Sequence, residues 1–217
     1  MAVLVIRVRY RLIAAVVVSL CCVVTAHAQN APSKYELTPF AGYRVGGTFN
    51  EEEGDGRVEL NESSAQGIIF NVMANPKGQY ELLYARQSTD ATTSGIYSGD
   101  PTIDLDVEYF HIGGTYLFEG ESTRPFLALT LGASRFDPEH AESSAKTYFS
   151  ASLGAGIQLA ASSRFGIRLE ARTFATFIDD GSSLFCSSID GAGQCLIRLE
   201  GDMLLQTEVR AGLVFRF

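Results

Sequence analysis

Basic residues are scarce in this 217-residue chain: 17 against 25 acidic ones, a formal charge of −8. That balance excludes the cationic surface on which nucleic-acid binding depends. Histidine is scarcer still, with three in all, and His27 lies close to the N-terminus. Only His111 and His140 remain as general bases or metal ligands. Past the N-terminal 25 or so residues no apolar run approaches the roughly 20 residues that a spanning helix needs. No Pro/Ser-rich linker divides the chain, and one domain is expected. No EF-hand spacing occurs among the acids, and no metal site and no cofactor is expected.

What is present begins with an address. Arg7, Arg9 and Arg11 form a basic segment, Leu12 to Val24 an apolar one, and Ala26-His27-Ala28 a small-x-small site. These are the three parts of a secretory signal peptide, residues 1–28. Leu20 before Cys21, and Cys21 before Cys22, argue against a lipidated cysteine. Removal of the leader takes three arginines and no acid. The mature chain, residues 29–217, then holds 14 basic and 25 acidic residues, a formal charge of −11.

The mature part alternates with a period of two. Counting back from Phe217, Phe215, Leu213, Ala211, Val209, Thr207, Leu205 and Met203 share one face. Arg216, Val214, Gly212, Arg210, Glu208, Gln206 and Leu204 share the other. Eight such segments are expected: about 35–49, 58–73, 79–88, 103–118, 124–136, 148–159, 164–177 and 196–217. In the seventh, Arg168, Glu170 and Arg172 lie on one face and Phe165, Ile167, Leu169 and Ala171 on the other. Three neighbouring charges would be ruinous in an apolar core. They suit a barrel whose outside is lipid and whose lumen is polar.

Two segments resist a single phase. Glu81 and Arg86 fall on opposite faces of the third. In the fourth, Phe110, Ile112, Tyr116 and Phe118 suggest one lipid face, whereas Leu105, Val107 and Tyr109 suggest the other. A bulge near Glu108–Tyr109 would reconcile them. Connections after the second, fourth and sixth segments are short (75–78, 119–123 and 160–163). The others are longer (50–57, 89–102, 137–147 and 178–195). Short periplasmic turns and long external loops are the membrane-barrel arrangement. The fold class expected is all-β: an eight-stranded antiparallel transmembrane β-barrel behind a cleaved signal peptide.

The chain resembles the small eight-stranded bacterial outer-membrane proteins of the OmpA-transmembrane-domain, OmpX and OmpW kind. The carriers are Leu37-Thr38-Pro39-Phe40-Ala41-Gly42-Tyr43, the inner-face Gly154 and Gly156, and the closing Leu213-Val214-Phe215-Arg216-Phe217. The resemblance implies the bacterial outer membrane as location, with lipid and lipopolysaccharide as surroundings and a monomer as the form. It also implies that Phe215 and Phe217 are an assembly signal read by the barrel-assembly machinery.

Four constellations could carry function. Glu36, Arg44, Arg168, Glu170, Arg172, Glu208 and Arg210 should form a lumen charge network, because buried opposite charges must pair to be tolerated. Arg168 and Arg172 are expected to find Glu36, Glu208 or the acids near Arg210, and a spare arginine should find Glu81, a tyrosine hydroxyl or water. Cys186 and Cys195, an even pair in one Gly-rich loop of an exported chain, read as a disulfide rather than a metal pair. His140 with Ser143, Ser144 and nearby acids holds the residue types of a hydrolase. A flexible acidic loop supplies no rigid scaffold for them, and no enzyme is expected. The remaining acids, among them Glu51, Glu52, Glu53, Asp104 and Asp106, make a solvated rim or bridge cations to lipopolysaccharide. The function expected is a structural or surface-interaction barrel with a filled lumen. A narrow pore or hydrophobic-solute conduit is the alternative, and a lipid-modifying enzyme a third.

Overall fold

The computed structural model describes residues 33–50, 57–94, 102–138, 145–160, 162–178, 183–189, 192–198 and 203–217. The expected signal peptide at 1–28, His140, Ser143, Ser144 and the acidic run at 51–55 lie outside them. Ser33–Arg216 form one compact unit.

Eight long strands close into a ring: β1 (Tyr35–Val45), β4 (Ser63–Asn75), β5 (Gly78–Ser94), β6 (Thr102–Leu117), β7 (Thr123–Pro138), β8 (Lys146–Ala160), β9 (Phe165–Phe177) and β12 (Met203–Arg216). Each pairs antiparallel with the next, and β12 returns to β1. Short strands β2 (Thr48–Asn50) and β3 (Arg57–Leu60) extend the first hairpin, β3 running along the end of β5. Gly46 and Gly47, both at positive φ, separate β1 from β2. A walk along register partners from Arg135 passes Glu108, Arg86, Gln66, Ala41, Ala211, Leu169 and Ile157. It returns to β7 at Pro125, ten residues from its start. Ten residues of ~3.3 Å rise across eight strands ~4.8 Å apart tilt the strands by roughly 40°.

The alternation places large apolar side chains outward. Tyr80, Phe110, Ile112, Leu129, Leu153, Val209 and Leu213 are all exposed. Aromatic pairs gird the band. Tyr116–Phe118 and Phe165–Phe215 lie at the short-turn end, and Phe149–Phe177 toward the long loops. An apolar band edged with rings is what lipid requires.

The second segment divides into β3 and β4, and phases or boundaries differ from expectation in the third, fourth and eighth. β6 keeps one phase throughout, with uninterrupted register against β5 and β7, so there is no bulge at Glu108–Tyr109. Leu105, Val107 and Tyr109 are buried inside, and Asp106 and Glu108 face outward. The cause is a change of medium along one strand. Beyond the level of Tyr84 and Phe110 the outside is water, so outward residues become charged and inward ones apolar. Arg86 pairs there with Asp106, and Arg135 with Glu108 and Asp137. Partial burial alone would raise the Asp106 carboxyl. Hydrogen bonds from Ser88 and Arg86, with the Arg86 charge, hold it below its ordinary value. The third segment resolves the same way, Glu81 inward and Arg86 outward above the band. Finally, the eighth barrel strand starts at Met203. Residues 196–198 belong instead to β11 (Ala192–Arg198), which pairs with β10 (Ser183–Ile189) in a separate hairpin.

That hairpin sets Cys186 opposite Cys195 in register. Directly opposed antiparallel residues have Cα atoms about 4.5–5.5 Å apart, inside the range a disulfide spans. We expect a disulfide in the exported protein. It should stiffen this hairpin and leave the barrel's stability unchanged, since the loop it closes is short and local. Labelling of free thiols without reductant checks this, and two reactive thiols would refute it.

Candidate functional site: the ion-paired lumen

All seven charged residues picked out in the alternation point inward and are buried: Glu36, Arg44, Arg168, Glu170, Arg172, Glu208 and Arg210. They fall into two groups. Glu36 stands apart at the short-turn end. It pairs with Arg216 at 2.8 Å and accepts hydrogen bonds from Gln79 and Gln158. It does not reach Arg168 or Arg172.

The central group is built around a residue whose strand phase the alternation left open. Glu81, fully buried on β5, takes Arg172 Nη2 at 2.6 Å and Arg168 Nη2 at 3.0 Å. On β9, Glu170 meets Arg172 at 2.7 Å, Arg168 at 2.9 Å and Arg210 at 2.9 Å. Toward the long loops Glu208 holds Arg44 at 2.6 Å. Thr115 and Asn71 also donate to Glu81, and Thr130 and Ser152 accept from Arg172. A buried charge costs several kcal/mol in lost hydration, and only such multiple pairing offsets it. The signal for Glu81 was available: Gln79, Glu81 and Gln87 share a two-residue phase. Tyr80, Leu82 and Tyr84 on one face and Leu83 and Ala85 on the other obscure it.

Four arginines meet three glutamates in this centre, so one positive charge is in excess. Arg210 carries the weakest set of contacts. Besides Glu170 it has Glu208 at 3.7 Å, no hydrogen-bonded acceptor, and the Phe40 ring 4.4 Å from its guanidinium carbon. A ring face is a suitable neighbour for a weakly hydrated guanidinium.

The glycines of β8 give this cluster its space. A Cβ on Gly154 would lie 2.3 Å from Glu170 Oε1 and 3.0 Å from Arg172 Nε. Above the cluster, Tyr109 stacks on Phe174 at 4.2 Å, with Arg44 beneath both rings at 4.8 and 5.0 Å. Leu105, Val107, Phe136 and Leu204 continue the apolar cap. His111, fully buried, is hydrogen-bonded through both ring nitrogens, to Thr130 and to Ser150. Ser150 and His111 are a nucleophile and a base in contact, but Thr130 holds the second nitrogen where a carboxylate would stand. Among the described residues no group of three or more His, Cys, Asp or Glu is placed to hold a metal. What the arrangement can do chemically is fill and cross-link the bore. Phe215, on the outer face of β12 opposite Leu37 and Phe165, takes no part in it.

A family profile described as outer membrane protein beta-barrel domain matches residues 13–217. No curated protein sequence matches the chain. Among solved structures, neisserial surface protein A is similar with a TM-score of 0.59 at 14% identity, covering 87% of this chain and 100% of that one. OprG from Pseudomonas aeruginosa gives 0.58 at 10%, covering 88% and 99%. AlkL gives 0.55 at 8%, covering 88% and 94%. At these identities the likeness is one of fold.

Proposed function

The chain belongs to the outer membrane protein β-barrel domain family and resides in the bacterial outer membrane, and we propose that within it this protein is a closed scaffold that presents its long-loop end to the surroundings. The observation that carries this reading is the filled bore. Glu81, Glu170, Arg168, Arg172 and Arg210 interlock across the lumen, and Tyr109 and Phe174 cap them. An eight-stranded barrel has an interior that side chains can fill, and here large ones do. Its neighbours in this reading are outer-membrane lipid and lipopolysaccharide around the band and rim. The assembly machinery would read Phe215 and Phe217 during insertion. The barrel would act as a monomer without a cofactor, and without turnover, since the one Ser–His contact among the described residues lacks both an acid and access.

Reconstitution in planar bilayers tests the proposal. The expected result is no conductance on the scale of a water-filled porin, and sustained porin-like current would overturn it. A small current abolished by Arg172→Glu would shift the reading to a narrow charge-lined path.

A further inference from the structure

Seven of the eight strand pairs in the ring join strands that follow each other around the barrel, five of them directly and two, β1–β4 and β9–β12, through a segment with short strands of its own, so a chain connection limits their register. The β1–β12 seam has no such tether, its contacts being 164 to 180 residues apart in sequence. Its register must come from side chains, because sheet hydrogen bonds alone allow slippage.

Four inward rungs of this seam are complementary, while the fifth, Thr38 beside Val214, adds no polar pair. Glu36 faces Arg216, an acid against a base at 2.8 Å. Phe40 faces Gly212, and Gly42 faces Arg210, large against small in each case. A Cβ on Gly212 would lie 3.1 Å from Phe40 Cβ, and one on Gly42 2.8 Å from Arg210 Cβ. Arg44 faces Glu208, a base against an acid at 2.6 Å, with the polarity of the first rung reversed.

A slip of one residue turns every inward side chain into lipid. A slip of two in one direction sets Glu36 against Val214, Phe40 against Arg210 and Arg44 against Gln206. In the other direction Arg44 meets Arg210 and Glu36 loses its partner. Both alternatives break both ion pairs. Either would also change the ten-residue offset around the ring to eight or twelve, and with it the bore. We propose that the inward side chains of β1 and β12 are a register key. It locks closure of the barrel at one offset and so sets the width of the lumen that the ion network fills. The key does not depend on whether the lumen conducts.

Charge reversal with cross-linking tests it, in the full chain with Cys186 and Cys195 replaced by alanine. Ala41 and Ala211 are opposed on the outer face of the seam, so Ala41→Cys with Ala211→Cys reports the native register. Ala41→Cys with Val209→Cys or with Leu213→Cys reports the two slipped ones. Glu36→Arg alone, or Arg216→Glu alone, should lower the yield of the native cross-link about tenfold, less than for a fully buried pair because Arg216 is partly exposed. Slipped cross-links should appear in whatever folds. The double reversal, Glu36→Arg with Arg216→Glu, should restore the native cross-link to within about twofold of the parent. If the single reversals fail to insert, the double reversal alone decides: native cross-linking sustains the key, and failure to insert overturns it. Single reversals that cross-link like the parent overturn it as well, as does a double reversal no better than either single.

Discussion

Glu170→Ala should destabilise the folded barrel by about 3–5 kcal/mol, the penalty of leaving buried charges unpaired. Among the described residues Glu170 is the only acid in contact with Arg168, Arg172 and Arg210 together. Its removal leaves four buried arginines with Glu81 and Glu208. Glu170→Gln keeps the shape and one acceptor oxygen but turns an amide NH2 toward a guanidinium, so it should cost less than the alanine but well over the surface control. That control is Glu119→Ala, which breaks an exposed pair with Lys77 and should be close to neutral. The measurement is reversible urea unfolding in lipid vesicles, followed by the mobility difference between folded and unfolded barrel on gels. Equal midpoints for Glu170→Ala and Glu119→Ala would show that the network bears no stabilising load.

Gly154→Leu tests the same cluster from the side of space rather than charge. The new side chain would enter the volume held by the Glu170 carboxylate and the Arg172 guanidinium. Overpacking of this kind costs about 1–3 kcal/mol. Displacement of a buried ion pair adds to it, by about 3 kcal/mol where the partners cannot re-pair. Ala155→Leu, one residue on, is the matched comparison. Ala155 faces lipid, and the added methylenes meet a medium as apolar as themselves, so it should be neutral. The two variants place a leucine on opposite faces of the same strand. Similar unfolding midpoints would mean that the alternation of β8 does not govern what each face tolerates.

Much of this architecture was legible in the chain because the signal is local. In β8 and β9 every outward residue is apolar or small, and every inward one but Phe174 is polar, small or charged, through the lipid-spanning part. Period-two counting therefore placed Arg168, Glu170, Arg172, Gly154 and Gly156 inside without knowledge of their neighbours. The same counting stumbled on β5 and β6 for a physical reason. These strands run beyond the lipid, and past Tyr84 and Phe110 the polarity that means outside is reversed. Leu105, Val107 and Tyr109 look like lipid contacts and form the inner cap. Arg86 and Glu108 look like lumen charges and meet water. The final long loop holds a hairpin that the alternation from 196 onward concealed. Ser183–Ile189 and Ala192–Arg198 can alternate like barrel strands while pairing only with each other.

Sequence alone determined the class of fold, the number of barrel strands, the short-turn and long-loop ends, and the face of most side chains, because each follows from residues two apart or from a turn of a few residues. Only the tertiary structure decided which charges meet. Glu81 on β5 reaches Arg168 and Arg172 on β9 because the ring closes with a ten-residue offset, bringing strands that are remote in the chain across one narrow bore. Glu36, on the correct face for those same arginines, ends at another height and takes Arg216 instead. Face is a property of a strand, whereas height and partner are properties of the closed ring.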